Sequence, residues 1–336
     1  MQSEQTANDR PVDQQPRRVR ELGITVGSLP TGPLNAITDV PGVRVGQTTL
    51  SSGDHQTGVT AIVPDEYASG LPAAVAVGNG YGKLIGSTQV DELGVLETPI
   101  LLTGTLSTFR VADALVSWLI DRDPKATSLN PVVGETNDAY LSDIRSRPIT
   151  PAHVHAALDS ASPTLPTEGC AGAGTGTTAL GYKAGIGTAS RTLPTPSSWW
   201  VGALVQSNFS GVLTVLGTPV PARPVDADGN SCMIVVATDL PLDARQLGRL
   251  ARRAIFALAR VGSDYAPGSG DYAIAFTTNR TAGFADRDLR APFQAVTESV
   301  EEALLNSLTM ARTTTGHRGN TAYAVPHDLI RACARQ

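Results

Sequence analysis

The sequence contains no run of about 18 consecutive apolar residues, so no membrane-spanning helix is expected. It has three cysteines, Cys170, Cys232 and Cys333. Their odd number and wide spacing exclude a disulfide framework and a CxxC metal clip. Reduced thiols in a cytoplasmic protein are the simplest expectation. The five histidines include no HExxH pair. His153 and His155 alternate as neighbours on one face of an extended segment would, and two histidines alone make a poor zinc site. A net charge of −5 supplies no basic face, which argues against a nucleic-acid partner. Nucleotide loops are missing too. "GAGTGTTALG" (172–181) fails the GxGxxG spacing and follows a Pro/Ser/Thr-rich loop rather than a strand. "GNGYGK" (78–83) does not meet GxxxxGK[ST]. Close backbone approach, or lining of a cleft, is the better account of both. Residues 1–20 are polar, lack the apolar segment of a secretory signal and read as a disordered tail.

Glycine (33) and proline (23) are plentiful, so many tight connections should join short elements. Apolar runs recur in "GVTAIVPD" (58–65), "AAVAVGN" (73–79), "PILLTGT" (99–105), "WWVGALVQSNF" (199–209), "SCMIVVATD" (231–239) and "DYAIAFTT" (271–278). Most are bounded by Gly, Pro, Asp or Asn, as strands are. Several are apolar at consecutive positions, which predicts sheets covered on both faces. Between them lie helices. Val111, Leu115, Trp118 and Leu119 share one helical face, and Asp123-Pro124 stops that helix. Leu247, Leu250, Ala251, Ala254, Ile255 and Leu258 form another stripe, closed by Gly262. "AVTESVEEALLNSLTMA" (295–311) reads as a third amphipathic helix. The pattern predicts a layered α/β or α+β domain over residues 21–336, with packed sheets covered by helices.

Ser231 opens the strand "SCMIVVATD" directly behind the polar turn Asp228-Gly229-Asn230. One reading is an ordinary turn serine. The other is a nucleophile aimed out of the end of a sheet. A serine hydroxyl needs a base, and no GxSxG or nearby histidine provides one. Cleavage of the Asn230–Ser231 bond would supply it. The freed α-amine, with a pKa of about 7.7–8.0, would sit one carbon from the carbon that carries Oγ. Cys232 is the better nucleophile by type, but neighbours on a strand face opposite ways, so just one of the two can face a site.

The same stretch, with "LPLDARQLGRLARRA" after it, resembles the nucleophile strand and following helix of the DmpA-type aminopeptidases. These are the L-aminopeptidase/D-amidase-esterases and β-aminopeptidases. Similar blocks stand at 30–50, 78–107, 131–145, 168–191 and 201–211, so the likeness spans nearly all of the chain after the tail. It implies a four-layer αββα sandwich and no metal or organic cofactor. It also implies self-cleavage between Asn230 and Ser231, into chains 1–230 and 231–336 that stay together, and a homo-oligomer, a tetramer of such heterodimers. The implied reaction releases an N-terminal residue from a small peptide, amide or ester through an acyl-enzyme on Ser231.

By position, the resemblance implies roles for further residues. Ser269 and Asp271, in "GSGDYAIAF", match the second serine and the acidic residue that flank the nucleophile; some members have glutamate where this chain has Asp271. Asn208, in "VQSNF", matches the oxyanion-hole asparagine, although Ser210 stands where glycine is usual. Glu135, in "GETNDAYL", matches the carboxylate that holds the substrate's ammonium. Tyr140 matches a hydrogen-bond donor near the site, and Ala139 stands where glycine is common. Two rival functions remain. One is an acyltransferase like the ornithine acetyltransferases, which use threonine at the processed position. The other is an uncleaved homologue that only binds amine-bearing ligands.

Overall fold

Strands that are apolar at consecutive positions need cover on both faces. The computed structural model, which describes residues 14–193, 199–220 and 230–333, provides that cover. The main strands are β1 (Val43–Ser52), β2 (His55–Pro64), β3 (Leu71–Gly80), β4 (Leu84–Ile85), β5 (Val95–Leu96), β6 (Ile100–Gly104), β7 (Val132–Thr136), β8 (Ile186–Leu193), β9 (Trp199–Asn208), β10 (Ser231–Thr238) and β11 (Gly270–Thr277). The helices are α1 (Ser87–Leu93), α2 (Thr108–Ile120), α3 (Pro151–Asp159), α4 (Ala244–Leu258), α5 (Arg290–Thr309) and α6 (His327–Cys333). One sheet runs β1-β2-β6-β7-β4 and the other β8-β9-β10-β11-β3-β5.

The layers follow from strand alternation. Val59, Ala61, Leu101 and Val133 of the first sheet pack against Val111, Leu115 and Trp118 of α2 and Val154 of α3. The other face of that sheet, with Ile62, Ile100 and Leu102, meets Met233, Val235 and Phe276 of the second sheet. The far face of the second sheet, with Cys232, Ile234 and Val236, packs under Leu247, Leu250 and Ala254 of α4 and Val300 and Leu304 of α5. The order is helix, sheet, sheet, helix, which is the expected αββα sandwich. All eight residues of β10 are buried. The parallel pair β10 and β11 is bridged by α4, whose Asp243 cap accepts from Gln246 N–H at 2.7 Å.

Several local expectations give way. His153 and His155 lie on α3, not on an extended segment. The Pro151 start and the Thr150 cap set a helix there, so the two rings diverge. His153 Nδ1 accepts from Thr150 N–H at 3.1 Å, while His155 Nε2 faces the Ala114 carbonyl at 3.3 Å. The polar face of α5 is buried rather than solvated. Glu298 and Glu302 pair with the fully buried Arg191, Glu302 also with Arg20, and Glu301 with Arg260. Strand β8, of sequence IGTASRTL, escaped notice because it contains no apolar run. Residues 14–20 are no free tail: Val19 is fully buried and Arg17 N–H donates to the Thr309 carbonyl at 3.3 Å. Residues 1–13 of the expected tail, and the Asp228-Gly229 turn, lie outside the described residues.

Candidate active site

Ser231 is the first residue of β10, and its alternation places it with Met233 and Val235 on the face toward the first sheet. It is 3% exposed. Its Oγ accepts two hydrogen bonds, from Asn137 N–H at 3.2 Å and from Asn208 Nδ2 at 3.3 Å. Two donors fill the oxygen's acceptor positions, so its own proton must point elsewhere. The same donors favour a negative charge on that oxygen. Asn208 ends β9 directly opposite Ser231 in the antiparallel register. Its Oδ1 accepts from Thr178 N–H at 3.1 Å, which fixes the amide with its NH2 toward Ser231. Asn137 follows the end of β7, so the first sheet also contributes to the site.

Across the other edge of β10, Gly270 stands opposite Ser231 in the parallel register. Gly270 N–H donates to the Asn230 carbonyl at 3.2 Å. This is the carbonyl of the expected scissile bond. Ser269 Oγ donates to Asp271 Oδ1 at 2.8 Å, and Asn79 Nδ2 to Asp271 Oδ2 at 3.1 Å. Burial raises the Asp271 carboxyl above its usual value, against the opposing hydrogen bonds from Ser269 and Asn79. Cys232 points the other way, into the layer under α4. Burial, and then the nearby Asp271 charge, raise its thiol well above the ordinary range. Between the two candidates, Ser231 is the one that faces the donors Asn137 and Asn208, while Cys232 stands opposite Asp271 in the parallel register.

Glu135 sits near the end of β7, two residues before Asn137. Its Oε1 accepts from the Lys83 backbone N–H at 3.0 Å and from Lys83 Nζ at 3.1 Å. Tyr140 follows on the same segment, and its hydroxyl reaches the Thr321 carbonyl at 3.5 Å, at the weak end of the hydrogen-bond range. The departure at Ser210 is accommodated: its hydroxyl donates to Asp264 at 2.7 Å, and Gly211 takes φ +133° beside Gly262. The glycines of 172–181 serve close packing. A Cβ on Gly176 would lie 2.0 Å from the Gln56 carbonyl oxygen, and one on Gly174 would lie 2.4 Å from Ile186 N.

Asn137, Lys83 and Asn79 were not singled out in the sequence. Asn137 acts through its backbone, which no side-chain pattern reveals. Lys83 and Asn79 lie inside the "GNGYGK" segment, whose glycines drew attention instead.

Comparison with known proteins adds to this geometry. The model of peptidase family S58 matches residues 35–322. The chain is 38% identical to the β-peptidyl aminopeptidase BapA of Sphingosinicella xenopeptidilytica, over 93% of this chain and 90% of the relative. Among solved structures, a β-aminopeptidase from Burkholderia sp. superposes with a TM-score of 0.86 at 37% identity, over 95% of this chain and 98% of that one. The L-aminopeptidase D-Ala-esterase/amidase of Ochrobactrum anthropi, described as a prototype serine aminopeptidase with a variant Ntn hydrolase fold, gives 0.86 at 35% identity, with the same coverage. A match across most of the chain, joined to relatives alike over nearly all of it, makes this protein a member of peptidase family S58.

Proposed function

We propose that the chain is a serine aminopeptidase/amidase that matures by cutting itself between Asn230 and Ser231. The observation that carries this reading is the Ser231 Oγ held by Asn137 N–H and Asn208 Nδ2, at a strand start whose preceding carbonyl takes the Gly270 N–H. In the uncut chain, Oγ attacks the Asn230 carbonyl carbon while Gly270 N–H stabilises the developing negative oxygen. The C–N bond breaks, its nitrogen takes the hydroxyl proton, and an ester joins Asn230 to Oγ. Water hydrolyses that ester, leaving a carboxylate on Asn230 and a free α-amine on Ser231.

The α-amine then serves as base, with a pKa of about 7.7–8.0 that suits proton transfer near neutrality. It takes the Oγ proton as Oγ attacks the substrate carbonyl, then passes it to the departing amine. The acyl group rests on Oγ until water removes it. In this reading Asn208 Nδ2 and Asn137 N–H, which both point to Oγ, are the donors to the oxyanion that forms beside it. Ser269 and Asp271 orient the amine, Glu135 holds the substrate's ammonium, and Tyr140 is a further donor. The finer reading is a homo-oligomer of processed heterodimers in the cytoplasm. Exposed apolar side chains such as Val77 and Phe256, and three cysteines without a disulfide, support it.

Intact-mass measurement tests the reading. Wild-type protein should yield chains of about 24 and 11 kDa, from scaling 34.9 kDa to residues 1–230 and 231–336, the smaller beginning Ser-Cys-Met-Ile. Ser231→Ala should stay whole, folded and inactive. Turnover by that variant, or activity in wild type that never shows the new terminus, would refute the mechanism. A chain that stays whole and inactive would favour the binding homologue.

A further inference from the structure

Lys83 pairs with the carboxylate that the proposed function assigns to the substrate's ammonium. Its Nζ lies 3.1 Å from Glu135 Oε1 and donates to Thr105 Oγ1 at 2.8 Å. The Glu135 side chain is 4% exposed and that of Lys83 is 35% exposed. The carboxylate is therefore buried, while the lysine remains partly open to solvent. The pair lies beside the nucleophile. Tyr81 N–H donates to the Ser269 carbonyl at 3.1 Å, which carries residues 81–83 across the start of β11. A Cβ on Gly82 would lie 3.2 Å from Glu135 Oε1 and 3.3 Å from Gly270 Cα, and Gly270 is the residue opposite Ser231.

An isolated carboxylate would accept any amine. Here part of its acceptor capacity is already used, and a second positive charge would repel an incoming ammonium. A substrate removes that conflict when it carries a negative group next to its ammonium. We propose that Lys83 and Glu135 together select a β-aspartyl N-terminal residue, an aspartate linked to the next residue through its side-chain carbonyl. This inference rests on the aminopeptidase reading above. In such a residue, one carbon bears both the ammonium and a carboxylate. The ammonium meets Glu135, the carboxylate meets Lys83 Nζ, and the two pairs run antiparallel. One methylene then separates that carbon from the scissile carbonyl presented to Ser231. A β-alanyl residue has the same spacing without the carboxylate. An α-aspartyl residue has the carboxylate on the next carbon, where it no longer matches the lysine–carboxylate spacing.

The test compares kcat/KM of processed enzyme on the β-aspartyl, α-aspartyl, β-alanyl and L-alanyl p-nitroanilides. Wild type should favour β-aspartyl over β-alanyl by at least tenfold. Lys83→Met should reduce that ratio by at least tenfold, and Lys83→Arg should keep the preference, which separates charge recognition from a folding defect. Cleavage of β-alanyl anilide without a β-aspartyl preference, a preference for α-aspartyl, or a ratio that survives in Lys83→Met would overturn the selection proposal and leave the aminopeptidase reading standing. Failure to cleave any of the four anilides would instead count against the aminopeptidase reading.

Discussion

Asn208 stands directly opposite Ser231 in the antiparallel register of β9 and β10, and its amide donates to the serine oxygen at 3.3 Å. The Thr178 N–H, bound to the amide oxygen, prevents the group from turning over. A neutral donor held this way acts most strongly when the oxygen beside it becomes negative. Asn208→Ala should lower kcat by about 10²–10³, equivalent to about 2.7–4 kcal/mol, with a much smaller change in KM. Steady-state kinetics on material already shown to be processed would check this, and an unchanged kcat would place the oxyanion donor elsewhere.

The cysteines should react in an order set by their surroundings. Burial works against the Cys170 thiolate, but the Lys183 ammonium and the Arg312 N–H outweigh it and lower the thiol below its usual value. Cys232 is fully buried and raised. Iodoacetamide on the native protein at about pH 8 should therefore label Cys170 while sparing Cys232. Peptide mapping reads the order, and comparable labelling of Cys232 would reopen it as a nucleophile.

Asp138 makes part of the fold sensitive to pH. Burial, against a Thr57 hydrogen bond, pushes its carboxyl up to about 6 from 3.8, and the attraction of Lys183 is the weakest of its influences. A raised carboxyl holds its proton more tightly in the folded chain than in the unfolded one. Its contribution is thus fully present below about pH 4 and is lost as the pH rises through about 6. Asp138→Asn keeps the shape without the charge. Its Tm relative to wild type should be more favourable at pH 8 than at pH 4.5, and an equal difference at the two pH values would contradict the assignment.

Two glycines should respond oppositely to alanine. A Cβ on Gly187 would lie 1.9 Å from the Ala303 carbonyl oxygen, where β8 packs on α5, so Gly187→Ala should destabilise by about 1–3 kcal/mol. Gly248 lies inside α4, and its nearest neighbour, the Ala74 Cβ, would be 3.5 Å away. Gly248→Ala should stabilise by about 0.5–1 kcal/mol, because the unfolded chain loses freedom and the helix loses nothing. Denaturant midpoints for the two variants would show the contrast.

The residues themselves determined whatever depends on neighbours in the chain. The α4 stripe, the doubly covered strands and the opposite facing of Ser231 and Cys232 follow from helical and strand periodicity. The polar turn before Ser231 pointed to the bond that is proposed to be cut, and six ordered blocks carried the family likeness. Tertiary structure decided what meets what. Asn137 and Asn208 reach Ser231 from 94 and 23 residues away, and Lys83 reaches Glu135 across 52. The buried Arg191 is one of several polar residues in IGTASRTL, and only the packing of β8 on α5 shows the carboxylates that neutralise it. Periodicity reports which face a side chain takes. It does not report which distant backbone N–H or charge waits on that face, because sheet order and layer packing set those distances.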